Sequence, residues 1–414
     1  MTRRVPDSCP GVLRLHAAAD GPLARVRVPG GRVTPAQLQA LAEAAHDLGD
    51  GNIELTSRGN VQLRRIQDAA ALTERLDAAG LLPSRTHERV RNIVASPLSG
   101  RIGGIAEVHR FVPALDAGLL AAPRLADLPG RVLFTLDDGR GDVSPLHGDI
   151  GVHATDADEF ALLLAGADSG IRLHPADAVD VMLAAANGFL ELHGDDAGQW
   201  RLRDIVDGAD RVAERLGLRR GADRVEFTAA QDIPIGWLDQ DNGLVGLGAG
   251  VRLGSLPART AEFLAAVERP VLLTPWRSLV LADLDEWAAE QVVRVLAPMG
   301  LIFDANSPWL EVSACAGRPG CAKAHTDVRA DVTEAVASGR VLPAASTRPA
   351  VADRIPSADD ASPESPARRP LPLLDATAVA VTGRQHWSGC ERRCGRPRGA
   401  VTDIVATESG YRVD

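Results

Sequence analysis

Ile53-Glu-Leu-Thr-Ser-Arg-Gly-Asn-Val-Gln-Leu63 reads as an extended strand, and Leu273-Thr-Pro-Trp-Arg-Ser-Leu-Val-Leu281 resembles it roughly 220 residues later. What precedes each stretch also matches. Upstream of the first, Pro10-Gly-Val-Leu-Arg-Leu15 and Leu23-Ala-Arg-Val-Arg-Val28 predict short strands around an Asp20-Gly21 turn. Gly30-Gly31 then lead to a helix that starts at Thr34 as N-cap, with Pro35 at its first position and Gln37 completing a capping box. Leu38, Leu41, Ala42, Ala45 and Leu48 give that helix one apolar face. Upstream of the second, Ile235-Gly-Trp-Leu238 leads through an Asn242-Gly243 turn to Leu244-Val-Gly-Leu247, and Pro257 opens a helix with Phe263, Leu264 and Val267. The order implies a duplicated unit, two related halves about a pseudo-two-fold axis with a site between them. Two generic β-α-β segments with similar turns would produce the same pattern.

Each unit is followed by a longer mixed region. Residues 84–220 carry the apolar run Val132-Leu-Phe-Thr-Leu136 and a stretch read as helical, Ala157 to Ala165. Residues 296–414 carry four of the five cysteines, and 341–372, rich in Pro, Ala, Ser, Asp and Arg, predicts a flexible surface insertion. The 414 residues, 45% hydrophobic, suffice for two or more domains with real cores. A net charge of −10 argues against wholesale nucleic-acid binding. No apolar run approaches the ~18 residues of a membrane span. Met1-Thr-Arg-Arg-Val-Pro-Asp-Ser-Cys-Pro10 has no signal-peptide core, so a cytoplasmic protein is expected. Lys323 is the sole lysine, so arginine in place of lysine carries little information in this chain.

Cys315-Ala-Gly-Arg-Pro-Gly-Cys321 and Cys390-Glu-Arg-Arg-Cys394 form two tight pairs, with Cys9 apart as a free, partly buried thiol. An odd count in close pairs argues against a disulfide framework. Four thiolates can hold a cubane cluster or a tetrahedral zinc ion. Zinc pairs usually have shorter spacers, so five residues between Cys315 and Cys321 suit a wider cluster better, and Gly317, Gly320, Gly389 and Gly395 let backbone amides approach sulfur. Zinc and unrelated free thiols remain the alternatives on spacing alone.

The C-x5-C … C-x3-C pattern resembles the sirohaem sulfite and nitrite reductases. Three upstream segments resemble that family in the same order: Leu55-Thr-Ser-Arg-Gly-Asn-Val-Gln-Leu-Arg64, Val90-Arg-Asn-Ile-Val-Ala-Ser-Pro-Leu-Ser-Gly100 and Leu128-Pro-Gly-Arg-Val-Leu-Phe134. The resemblance implies an α+β fold of duplicated ferredoxin-like half-domains, 1–70 and 229–295, with two reductase-type α/β domains, 84–220 and 296–414. It also implies a [4Fe–4S] cluster on Cys315, Cys321, Cys390 and Cys394, and basic residues at Arg58, Arg91 and Arg131 that hold the carboxylates of a tetrapyrrole. On a continuous strand Arg58, Asn60, Gln62 and Arg64 share one face while Val61 and Leu63 enter the core. Arg64 is therefore a fourth candidate, with Gln62 and Asn92 as hydrogen-bonding neighbours; a solvated strand face is the plain alternative.

One departure separates this chain from the anion reductases. They carry a second lysine two residues after the position of Arg131, and here Leu133 stands there. The pocket for a small anion therefore looks incomplete. Cys9-Pro-Gly-Val-Leu-Arg14 and Phe134-Thr-Leu-Asp-Asp-Gly139 resemble instead a branch of the family that modifies a tetrapyrrole. That resemblance implies precorrin-3A as substrate, hydroxylated at C20 by dioxygen with closure of a γ-lactone, and a mononuclear non-haem iron beside the cluster. His87, His147, His325 and His386 are the histidines on offer for that iron, and no two-histidine–carboxylate spacing selects among them. Asp137 and Asp138 could assist proton transfer, though a turn before Gly139 explains them equally. No nicotinamide or flavin fingerprint is present, so a separate electron-donor protein is expected. A ferredoxin-dependent reductase with bound sirohaem, a non-catalytic iron–sulfur electron-transfer protein and a zinc-stabilised module are the competing classes.

Overall fold

The computed structural model describes residues 7, 9–193, 198–227, 233–343, 381–397 and 399–414. Most of the expected insertion at 341–372 and the start of the 229–295 unit lie outside them.

Two sheets carry the stretches quoted at the start. In the first, the strand order is His16–Ala18, Gly21–Val26, Val61–Leu63, Asn52–Leu55 and Ser255–Pro257. In the second it is Gly236–Asp239, Val245–Val251, Ser278–Leu284, Val271–Leu273 and Arg32–Val33. The two orders match, and each sheet takes its last strand from the other unit: Leu256 pairs with Ile53, and Val33 pairs with Val271. One core of Val26, Leu41, Leu63, Leu247, Leu264, Leu279 and their neighbours backs both sheets. The helix Pro35–Leu48 starts as expected, because Thr34 accepts from the Gln37 amide and Gln37 returns the bond to Thr34.

Ile53–Leu63 is a hairpin, not one strand. Thr56 N–H donates to the Asn60 carbonyl, Ser57-Arg58-Gly59 form the tip, and Gly59 takes the left-handed φ of 63° that closes it. The second stretch folds the same way: Thr274 N–H donates to Ser278, and Arg277 holds φ 58° where the first hairpin has glycine. The first strand of the chain likewise forms at His16–Ala18 rather than at Pro10–Leu15.

A third sheet, in the order Ala167–Leu173, Glu159–Leu164, Ile150–Asp156, Phe134–Asp137 and Ile93–Ala95, packs with the helices Phe111–Ala121, Ala178–His193 and Gly208–Leu216 around a second core. Ala157–Ala165, expected as helix, holds a turn at 157–158 and the strand Glu159–Leu164. Phe160 to Leu164 are all buried, so the run is a fully covered strand, and Asp156 caps the turn that enters it. The fourth sheet orders Val312–Ala314, Gln385–Ser388, Thr402–Thr407 and Gly410–Val413 beside the helix Val328–Ala337. Among the described residues no helix is long and apolar enough to cross a membrane.

Candidate cysteine centre and guanidinium cluster

Val312–Ala314 and Gln385–Ser388 run parallel and in register, Ala314 opposite Trp387. Cys315 is the next residue after the first strand and Cys390 follows the second by two, so the parallel pairing delivers both cysteine loops to one sheet end. Cys315 N–H donates to the Trp387 carbonyl, and Gly389 N–H donates to Cys315 Sγ at 3.2 Å. A side chain at Gly389 would collide with Ala324, and one at Gly317 with Val328, so both glycines are needed for this approach. Burial and then the charge of Cys390, with smaller contributions from Cys315 and Cys321, raise the Cys394 thiol against Arg392, so the other three sulfurs all lie within the field of Cys394. A lone tetrahedral zinc with bonds of ~2.3 Å draws its sulfurs to about 3.8 Å apart. No three of these sulfurs close to within 4.8 Å of one another. Four thiolates gathered from two loops at one sheet end, with the Gly389 amide donating to sulfur, fit a four-iron cluster.

The face of the first sheet opposite its core carries a polar row across three strands: Arg25, Gln62 and Glu54 are register neighbours. Gln62 accepts from the Arg25 guanidinium and donates to Glu54 at 3.3 Å. Val61 and Leu63 enter the core on the other side. Around this row stand two kinds of arginine.

The first kind has its own carboxylate. Arg64 forks onto Asp20 at 2.9 and 2.7 Å, and Arg91 forks onto Asp116 at 2.7 and 2.6 Å. Both sequence candidates are thereby committed to internal partners. Asn92 is likewise occupied, donating to the carbonyls of Gly130 and Val132 and accepting from Asn60. Arg131 is exposed and lies over the Trp200 ring.

The second kind has no carboxylate ion-pair partner among the described residues: Arg25, Arg27 and Arg58. Arg27 is 2% exposed, donates only to the backbone carbonyls of Arg89 and Pro10, and leaves Nη1 without a partner. Burial, with the charges of Arg25 and Arg58, pushes it down to about 9 against Cys9 and Glu88. Burial and the neighbouring Arg201 push Arg58 down to about 10. Burial also lowers Arg25. Removing several like charges from water without counter-ions costs several kcal/mol each. A polyanion entering this cluster would supply the missing charge. Sequence reasoning overlooked Arg25 and Arg27, although their alternation in Arg25-Val-Arg27 puts both on one strand face. Cys9, expected to be a spare thiol, is buried beside these three arginines.

The four candidate histidines do not converge. His87 is buried against the Ala122 carbonyl, His147 is exposed near Gly166, His325 is exposed, and His386 is buried with Nδ1 on Ser313. The one close group of potential ligands among the described residues is Asp137, Asp138 and Asp142. It is largely satisfied from within. Asp137 accepts the amides of Gly139, Gly141, Val143 and Ser144, and Asp138 pairs with Arg140. The turn explains Asp137 and Asp138.

Comparison with known proteins agrees with this architecture. Residues 16–79 match the Nitrite/Sulfite reductase ferredoxin-like half domain. The fold resembles the structure of Mycobacterium tuberculosis NirA protein, with a TM-score of 0.71 and 18% identity over 95% of this chain and 74% of that one. Ferredoxin–nitrite reductase from Synechococcus elongatus is 32% identical over 137 residues, 31% of this chain and 26% of that protein. The ferredoxin–nitrite reductase of Leptolyngbya laminosa is 40% identical over 80 residues, 18% of this chain and 16% of that one. These matches thus span about a quarter or less of the nitrite reductases. The chain thus has a mixed α+β fold like that of NirA, with a nitrite/sulfite-reductase-type ferredoxin-like half domain at 16–79. The chain also resembles the precorrin-3B synthase of Sinorhizobium sp, at 24% identity over 98% of this chain and 81% of the synthase.

Proposed function

We propose that this chain is a precorrin-3B synthase, acting in the cytoplasm on precorrin-3A. One atom of dioxygen enters at C20, with a γ-lactone closed from the ring A acetate. The other atom leaves as water, with two electrons from a separate donor protein and two protons. The carrying observation is the extent of similarity: it runs along 98% of the chain for the synthase, and along 31% and 18% for the two nitrite reductases.

The site supports this reading. Precorrin-3A bears several acetate and propionate groups, and Arg25, Arg27 and Arg58 are buried or half-buried cations without carboxylate ion-pair partners among the described residues. Two parallel charge-assisted hydrogen bonds per carboxylate would fix the ring's orientation and so which meso carbon meets the oxidant. Leu133, standing where the reductases have lysine, is buried against Val94 and Val143 and offers no charge to a small anion. A [4Fe–4S] cluster on Cys315, Cys321, Cys390 and Cys394 would supply electrons singly. The proposed duplication also fits, since the two sheets share one strand order and exchange end strands.

A sirohaem-dependent nitrite or sulfite reductase is the second reading, favoured by the 40% identity over 80 residues. Anaerobically purified protein incubated with precorrin-3A, a reductant and ¹⁸O₂ separates the two. A product one oxygen heavier that carries the label is expected. Strong tetrapyrrole absorption that survives gel filtration, with nitrite or sulfite reduction and no labelled product, would favour the reductase.

A further inference from the structure

The geometry points to Arg64 and Arg277 as a pair of positioning residues, one from each sheet, that brace the two cysteine loops and set positive charge beside the centre they form. This inference rests on the cluster reading above. Arg64 Nη2 donates to the Gly320 carbonyl at 3.1 Å, one residue before Cys321. Arg277 Nη2 donates to the Gly395 carbonyl at 3.3 Å, one residue after Cys394. Each loop is thus held from a different sheet, and each bond spans a large sequence separation.

Both guanidiniums are prepared for this. Arg64 is fixed by its fork on Asp20, and its remaining reach goes to Gly320. Arg277 sits at a hairpin tip with φ 58°, a left-handed state that disfavours any residue with a side chain. The matching position of the first hairpin is Gly59. Retaining arginine there keeps a guanidinium where glycine would relieve the backbone. Room for it comes from Gly254, whose missing Cβ would lie 2.8 Å from Arg277 Cδ. Arg277 has no carboxylate ion-pair partner among the described residues; burial and Arg329 lower it, while Glu54 supports it. The same Glu54 lies 3.9 Å from Arg64 Nη1 and 2.7 Å from Arg329. One buried carboxylate therefore backs both braces.

Reduction adds negative charge to an iron–sulfur centre, so cations nearby favour the reduced form. Two consequences follow for the anaerobically reconstituted full chain. Arg277→Gln and Arg64→Gln lower the cluster's midpoint potential in an EPR-monitored redox titration, and lose iron to a chelator severalfold faster than wild type. Arg277→Lys keeps most of the potential, because the charge stays, but still loses iron faster. Arg110→Gln, on the exposed surface, changes neither. Wild-type potential and wild-type iron retention in Arg277→Gln and Arg64→Gln would overturn the brace. If a glutamine variant does not fold, the iron-loss rate of Arg277→Lys decides alone: faster loss supports the brace and an unchanged rate overturns it. Wild-type chain that takes up no iron and sulfide would instead overturn the cluster reading, so the two failures are distinguishable.

Discussion

Arg58 and Arg91 looked alike in the sequence, each beside a polar partner in a family-like segment. Their surroundings divide them. Arg91 answers Asp116 through two short bonds, so its removal strands a partly buried carboxylate. Arg91→Ala is expected to cost up to about 3 kcal/mol of stability, read as a lower melting temperature. Arg58 has no carboxylate ion-pair partner to strand among the described residues. Arg58→Gln and Arg27→Gln are expected to leave the melting temperature near wild type and weaken precorrin-3A binding. Loss of one charge-assisted bond, worth about 1.5–3 kcal/mol, corresponds to roughly 10- to 150-fold in Kd by fluorescence titration. Equal affinity in these variants and wild type would remove both residues from the site. The sequence exposed Arg58 through the family-like segment Leu55–Arg64, but not Arg25 or Arg27. In a chain whose 45 basic residues include one lysine, arginines are too many to single out by type, and only the strand pairing shows which lack a carboxylate.

Elements were legible where local chemistry sets them. The Thr34–Gln37 box and the alternation in Leu23–Val28 each read directly. The hairpin tips did not, because Ser57-Arg58-Gly59 reads as strand until Gly59 is seen to hold a positive φ. Phe160–Leu164 misled for another reason: a run of five apolar residues has no period to tell strand from helix. The loop after Phe134–Asp137 makes its own prediction. Burial and the charges of Asp137 and Asp138 raise Asp142 to about 7, while hydrogen bonds and His153 hold Asp137 at about 2 against its burial. For Asp142 the folded chain holds a proton that the unfolded chain has lost between the ordinary carboxylate range and pH 7. Its stabilising contribution is therefore full at low pH and is lost as pH rises through 7. Asp137 has the opposite sign, and its contribution disappears only as pH falls toward 2. Asp142→Asn, which keeps an acceptor for Ser96 Oγ, is expected to gain on the order of 2 kcal/mol more over wild type at pH 8 than at pH 5. Melting curves across that range check it, and a constant difference at all pH values would contradict the assignment.

Across the whole molecule, the order of units could be read along the chain, but the exchange of end strands between sheets could not. Each exchanged strand is two or three residues long and carries no signal of its partner. That exchange brings the polar row of the first sheet, the Thr274–Ser278 hairpin and the two cysteine loops together. Arg64 and Arg277 are the direct links. Gly31 belongs to the same seam: a side chain there would run into the Leu273 carbonyl oxygen. Gly31→Ala is accordingly expected to lower the melting temperature of the whole chain, whereas Gly51→Ala, with nothing near its missing Cβ, leaves only backbone strain and a smaller loss. We propose that an iron–sulfur centre and the guanidinium cluster of Arg25, Arg27 and Arg58 form one site. Its most direct test is an EPR titration of the reduced, reconstituted protein with precorrin-3A. A four-iron signal that shifts saturably as the tetrapyrrole is added is expected, and it stops responding in a combined Arg25→Gln, Arg27→Gln, Arg58→Gln variant. A signal indifferent to the tetrapyrrole, or a response that survives loss of all three arginines, would contradict it.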